Sequence, residues 1–161
     1  MEPKAIAYFL GAMLVGALAA GADPANAADV RQHASACSPT NAGMTYSHGA
    51  NGLTRTGGGV GEFFCPHNSL SSGVTHTAAN GLNLHMFQPN SGAASGAKAC
   101  VTFWASNGGS CGTQVVSLAT GDVTLSPSRS VWNASGNAGD FPYVHLTLGP
   151  QASLRGYWVS N

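Results

Sequence analysis

Hydrophobic and polar residues alternate in several short stretches of this chain. In Leu82 to Gln88, Leu82, Leu84 and Met86 share one face, and Asn83, His85 and Phe87 share the other. Tyr143 to Leu148 repeats the pattern, with Val144, Leu146 and Leu148 inward and Tyr143, His145 and Thr147 outward. A period of two is that of a half-buried strand. In Val60 to Pro66, Phe63 and Phe64 must point to opposite faces, and Cys65 follows Phe63. Pro66 lacks the N–H a ladder needs, so it ends that strand or lies at an edge.

Further strands are expected at Met44–Ser47, Leu53–Thr56, Gly73–Thr77, Ala99–Ala105, Gly112–Ala119, Val123–Leu125 and Leu154–Val159. Asn51-Gly52, Asn80-Gly81 and Gly149-Pro150 separate strands, and Asn-Gly is a strong turn pair because both residues tolerate positive φ. Pro89 to Lys98 and Ala134 to Asp140 read as loops, and Val131-Trp132 as a short strand or loop anchor. No stretch beyond the first residues holds a 3.6-residue apolar period for a helix of ordinary length. The class implied is all-β, an antiparallel β-sandwich or a jelly-roll-like arrangement.

The first residues have a different composition. Lys4 precedes an uncharged Ala/Leu/Gly-rich run from Ala5 to Ala22, and Ala25-Asn26-Ala27 fits a small-x-small cleavage site. This predicts a signal peptide over residues 1–27, a flexible leader over 28–36 and one domain over 37–161, secreted or periplasmic, with no membrane contact after cleavage. Cys37, Cys65, Cys100 and Cys111 follow the signal. An even number in an exported chain predicts two disulfides. Four cysteines permit three pairings. Cys100–Cys111 is the local choice across a hairpin, and Cys37–Cys65 would tie the front of the domain to the Phe63-Phe64 strand. Each would stabilise by roughly 3–4 kcal/mol in the chain-entropy model.

Charge narrows the partners. Only 7% of residues are charged. Residues 28–161 carry Arg31, Arg55, Lys98, Arg129 and Arg155 against Asp29, Glu62, Asp122 and Asp140, a net of +1 with neutral histidines. Without a basic stripe, nucleic acid and anionic membrane are poor partners. The alternating strands Leu82–Gln88 and Tyr143–Leu148 contain no Lys, Arg, Asp or Glu. If either were an edge, it would lack the charges that protect edges, so self-association is expected through strand edges or an aromatic patch. Mid-sheet positions for both strands would instead give a monomer.

The runs Cys37-Ser38-Pro39, Phe64-Cys65-Pro66 and Ala99-Cys100-Val101, with the closing segment Tyr143 to Val159, carry a resemblance. In spacing the chain resembles a group of small secreted bacterial proteins, disulfide-containing β proteins of unassigned function. That group would place a cysteine near Leu146, where this chain has Cys111 earlier instead. The resemblance implies a secreted β protein and no activity.

Gly108-Gly109-Ser110-Cys111-Gly112 matches G-x-S-x-G. That motif works where Ser sits on a strained strand-to-helix turn, and here strand is expected on both sides. His33, His48, His67, His76, His85 and His145 lack the spacing of a metal motif, although His85 and His145 would meet if their strands paired. Glu62, Asp122 and Asp140 supply no evident carboxylate pair for glycoside hydrolysis. Asp122 and Asp140 stand beside glycine, in contexts that read as turns. No cofactor or metal is expected. The remaining candidates are Trp104, Trp132, Trp158, Tyr143 and Tyr157, which could form a carbohydrate-stacking platform or fill the core. The reading is a secreted, non-enzymatic extracellular or envelope protein with a binding or structural role. The alternatives are a carbohydrate-binding module and a hydrolase using Ser110 and a histidine.

Overall fold

The alternating segments pair into two antiparallel sheets whose apolar faces meet. The computed structural model describes residues 30–50, 52–67, 81–90, 92–103, 108–134 and 140–160. The strands are β1 (Val30–His33), β2 (Ser38–Pro39), β3 (Tyr46–Gly49), β4 (Gly52–Arg55), β5 (Gly61–Pro66) and β6 (Gly81–Gln88). They continue as β7 (Ser95–Thr102), β8 (Gly109–Cys111), β9 (Val115–Ser117), β10 (Gly121–Leu125), β11 (Phe141–Leu148) and β12 (Ser153–Ser160). Sheet A runs β10-β6-β12-β4-β3, and β1 also pairs with β12. Sheet B runs β2-β5-β11-β7-β8, and β9 also pairs with β7. Each sheet has six strands. The fold is the expected antiparallel β-sandwich. The predicted Gly73–Thr77 strand lies outside the described residues.

The period-two reading assigns the core correctly. Leu82, Leu84 and Met86 from β6 and Leu154, Tyr157 and Val159 from β12 face Phe63, Val144, Leu146 and Leu148 from sheet B, all buried. Phe63 is fully buried while Phe64 is exposed on the outside of the same strand. Tyr157 links the layers. Its hydroxyl lies against both the Gln32 side-chain oxygen in β1 and the Pro66 carbonyl in β5. Burial pushes the phenol above its ordinary pKa, because the charged form would have to leave water.

Both disulfides join laterally neighbouring chains. Cys100 and Cys111 are register partners across β7 and β8. Cys37 precedes the β2 pairing of Ser38 with Phe64, which places it beside Cys65. Gly52 follows the expected Asn51-Gly52 turn with φ 101°. A Cβ there would overlap the Leu154 carbonyl, so close approach of β12 requires glycine as well as the turn does. Arg55 is buried behind this hairpin. Its guanidinium donates to the Thr45 backbone carbonyl, the Thr45 hydroxyl (2.9 Å) and the Gly59 carbonyl (3.2 Å), so the buried charge is hydrogen-bonded.

Four expectations are corrected. Residues 30–33 of the leader form β1, paired with the second edge of β12, and Ala34–Ala36 form a 3-10 turn whose Ala34 enters the core. Ser95 to Lys98 belongs to β7, held between β11 and β9, so pairing overrides the low strand propensity of Gly, Ala and Ser. Val131-Trp132 lies in a short helix, α1 (Ser130–Ala134). Trp132 is fully buried there; its indole N–H donates to the Cys100 carbonyl at 2.6 Å, and its ring stacks on His67. Asp122 lies inside β10 opposite Phe87, where the pairing of β10 with β6 governs the backbone.

Candidate functional site

The outer face of sheet A carries a group of polar and aromatic side chains outside the core. Its rows follow the register. Arg31 of β1 lies opposite Trp158 of β12, which lies opposite Asn83 of β6. His33, Gly156, His85 and Thr124 form the next row across four strands. Phe87 lies between Ser153 and Asp122 in a third. Asn83 accepts a hydrogen bond from the Ser126 hydroxyl at 2.6 Å.

A bulge in β12 shapes this face. Leu154 pairs with Met86 and Gly156 with His85, so Arg155 is an extra residue between them. A bulge re-aims the side chain it adds. Leu154 is buried and Arg155 is exposed. The Arg155 guanidinium meets the Asp122 carboxylate at 3.0 Å and lies 5.7 Å from the centre of the Phe87 ring. Asp122 also stands 3.7 Å from His85 Nε2. These charges are solvent-exposed, so the pairs fix side-chain positions more than they stabilise the fold.

Two hollows flank Arg155. One, of about 250 Å³, is lined by Arg31, His85, Arg155, Gly156 and Trp158 among others. The second, of about 440 Å³, is lined by Thr54, Phe87, Gln151, Ser153 and Arg155 among others. Gly156 keeps the first hollow open. A Cβ there would fall 3.0 Å from the Gln32 carbonyl oxygen. Trp158 is half-buried at the hollow, and its indole N–H makes no hydrogen bond among the described residues.

The five aromatic residues singled out from the sequence do not converge. Trp132 and Tyr157 are core residues and offer no surface. Tyr143 is on the outer face of sheet B, packed at a tilt against Phe64 with centroids 4.5 Å apart. Trp104 lies outside the described residues. Tyr157 and Trp158 both border a hollow of sheet A, but Tyr157 is buried and Trp158 is the half-exposed one, with Phe87 its aromatic companion across the bulge. Arg155 and Asp122 were missed as site residues. The shared face of Asn83, His85 and Phe87 was readable, but the bulge that brings Arg155 to it follows from tertiary pairing.

The other constellations separate. His85 and His145 occupy different sheets, so the proposed meeting of their strands does not occur. His145 stands 3.7 Å from Glu62 and opposite Lys98. Its pKa lies below the ordinary imidazole value; burial is the main cause and Lys98 adds to it, outweighing Glu62. Its Nδ1 is buried without a hydrogen-bond partner, so an added proton there would be unsatisfied. No three His, Cys, Asp or Glu side chains are grouped to hold a metal among the described residues. Ser110 is exposed in β8, next to disulfide-bonded Cys111, and β9 follows instead of a helix. The strained turn that would activate a G-x-S-x-G serine is therefore missing. No family model, curated protein or solved structure matches the chain.

Proposed function

We propose that this chain is an exported, non-enzymatic binding module that takes a carbohydrate on the outer face of sheet A. The observation that carries the reading is Trp158. It is half-buried at the edge of a hollow, with its indole N–H unused among the described residues. An indole in the interior normally finds a partner for that N–H, as Trp132 does with Cys100. A sugar offers what such a site accepts: a C–H face for the ring and hydroxyls for the surrounding polar groups. Asn83, His85 and Thr124 supply such groups on adjacent positions. The two disulfides are compatible with an oxidising extracytoplasmic compartment.

The test is a glycan array probed with the exported protein and with Trp158→Ala, each checked for a cooperative thermal transition. Selective binding by the wild type, lost in a folded Trp158→Ala variant, is expected. An array with no bound glycan would end the carbohydrate reading. Intact mass checks the export half: the expected species begins at Ala28, and one retaining residues 1–27 would contradict it.

A further inference from the structure

We infer that the ligand of the Trp158 hollow is an anionic saccharide, bearing uronate carboxylates or sulfate half-esters, whose charge is met by Arg31. This deepens the carbohydrate reading above and rests on it. The argument starts from how few cations the molecule has. Among the described residues they are Arg31, Arg55, Lys98, Arg129 and Arg155. Arg55 and Arg129 are buried, and Lys98 is half-buried on sheet B. The two exposed ones, Arg31 and Arg155, both line this hollow.

Their states differ. Arg155 is paired with Asp122 at 3.0 Å. The Arg31 side chain makes no ion pair or hydrogen bond among the described residues. It is the register neighbour of Trp158, so its Cα lies about 5 Å from that of Trp158 across the ladder. Arg155 lies three residues before Trp158, or about 10 Å along the strand. An aromatic ring with an open N–H thus stands next to one uncompensated guanidinium and within a disaccharide's reach of a second. Guanidinium binds carboxylate and sulfate in a bidentate manner, which fixes orientation as well as charge. The titratable groups at the hollow are Arg31 of β1, Arg155 of β12 and His85 of β6 in its lining, Asp122 of β10 paired to Arg155, and His33 of β1 in the next row. With the histidines neutral these sum to a single positive charge. A neutral sugar would leave that charge unused.

The experiment is the same array carrying neutral, uronate and sulfated oligosaccharides, followed by titration calorimetry on the best binder at low and moderate salt. Four proteins are compared: wild type, Arg31→Gln, Asp122→Asn and Lys98→Gln. The Arg31 side chain is exposed and bonded to nothing described, and its backbone pairing is kept in the variant, so the fold should be kept. Arg31→Gln should weaken acidic-glycan binding by about 10- to 100-fold, the range for losing a charge-assisted contact. Asp122→Asn releases Arg155 and should strengthen binding a few-fold. Lys98→Gln, on the other sheet, should leave it unchanged. The uronate and sulfate arms identify which anion the hollow takes. Binding of neutral glycans alone would overturn this inference and leave the carbohydrate reading intact. No binding at all would overturn both. Equal losses in Arg31→Gln and Lys98→Gln would show diffuse attraction and overturn the assignment to this hollow.

Discussion

Tyr157 and His145 show how differently two polar side chains can be used on neighbouring sheets. The Tyr157 hydroxyl lies against Gln32 and the Pro66 carbonyl, one group from each sheet. Tyr157→Phe keeps the ring and removes the hydroxyl between these two oxygens, so urea denaturation should show a loss of about 0.5–1.5 kcal/mol, the net worth of a typical hydrogen bond. An unchanged midpoint would mean that water replaces the hydroxyl. His145 acts through protonation. Its folded pKa is lowered, so the unfolded chain takes up the proton more readily. Its contribution is therefore complete above the ordinary imidazole range and is lost as pH falls through that range towards the lower folded value. His145→Gln should flatten the decline in stability between about pH 7 and pH 5, measured by denaturation across that interval. Much at this scale was legible. Leu84, Val144 and Leu146 are buried on the face that alternation gives them, whereas alternation left open which of Phe63 and Phe64 is buried, and the structure buries Phe63 together with Cys65. The roles of Trp132 and Tyr157 were not legible, because an aromatic suits a core and a platform equally until its strand has neighbours.

At the scale of elements, the two staples sit in unlike places. Cys37 and Cys65 are both buried, whereas Cys111 is exposed in the short outer strand β8. Thiol–disulfide exchange requires access to a sulfur. Graded reductant followed by alkylation and peptide mapping should therefore open Cys100–Cys111 first and Cys37–Cys65 only near unfolding. The reverse order would contradict the burial. In the chain-entropy model the bonds contribute similarly, about 3 and about 3.5 kcal/mol, so the order reports exposure and not strength. Elements with their own alternation, such as β6 and β11, were readable from the chain. Those that exist because an edge was open to them were not. β1 is four residues completing β12, and Gly96-Ala97 becomes strand only between β11 and β9. The bulge at Arg155 belongs to the same category, since a one-residue mismatch between β12 and β6 leaves no mark in either segment alone.

At the scale of the molecule, β6 and β11 lie inside their sheets, so the uncharged strands that suggested association cannot offer free edges. That removes the first ground for association, and the outer strand β3 supplies a different one: Tyr46-Ser47-His48-Gly49 is exposed throughout and carries no Lys, Arg, Asp or Glu. Sedimentation near pH 7 should show mass rising with concentration, and Ser47→Lys, a charge on that edge, should hold the protein monomeric. A wild type that stays monomeric at every concentration would remove self-association as a property. The arrangement around β12 has a further consequence for the order in which the molecule can come into being. This strand joins β6 to both β4 and β1, so without residues 153–160 sheet A is three unconnected pieces: β10 with β6, β3 with β4, and β1 alone. A ribosome delivers those eight residues after every partner they serve. Until then sheet B, whose strands all lie within residues 38–148, can close while sheet A stays in pieces. The strand that completes sheet A thereby also sets the moment at which the second layer closes over the first.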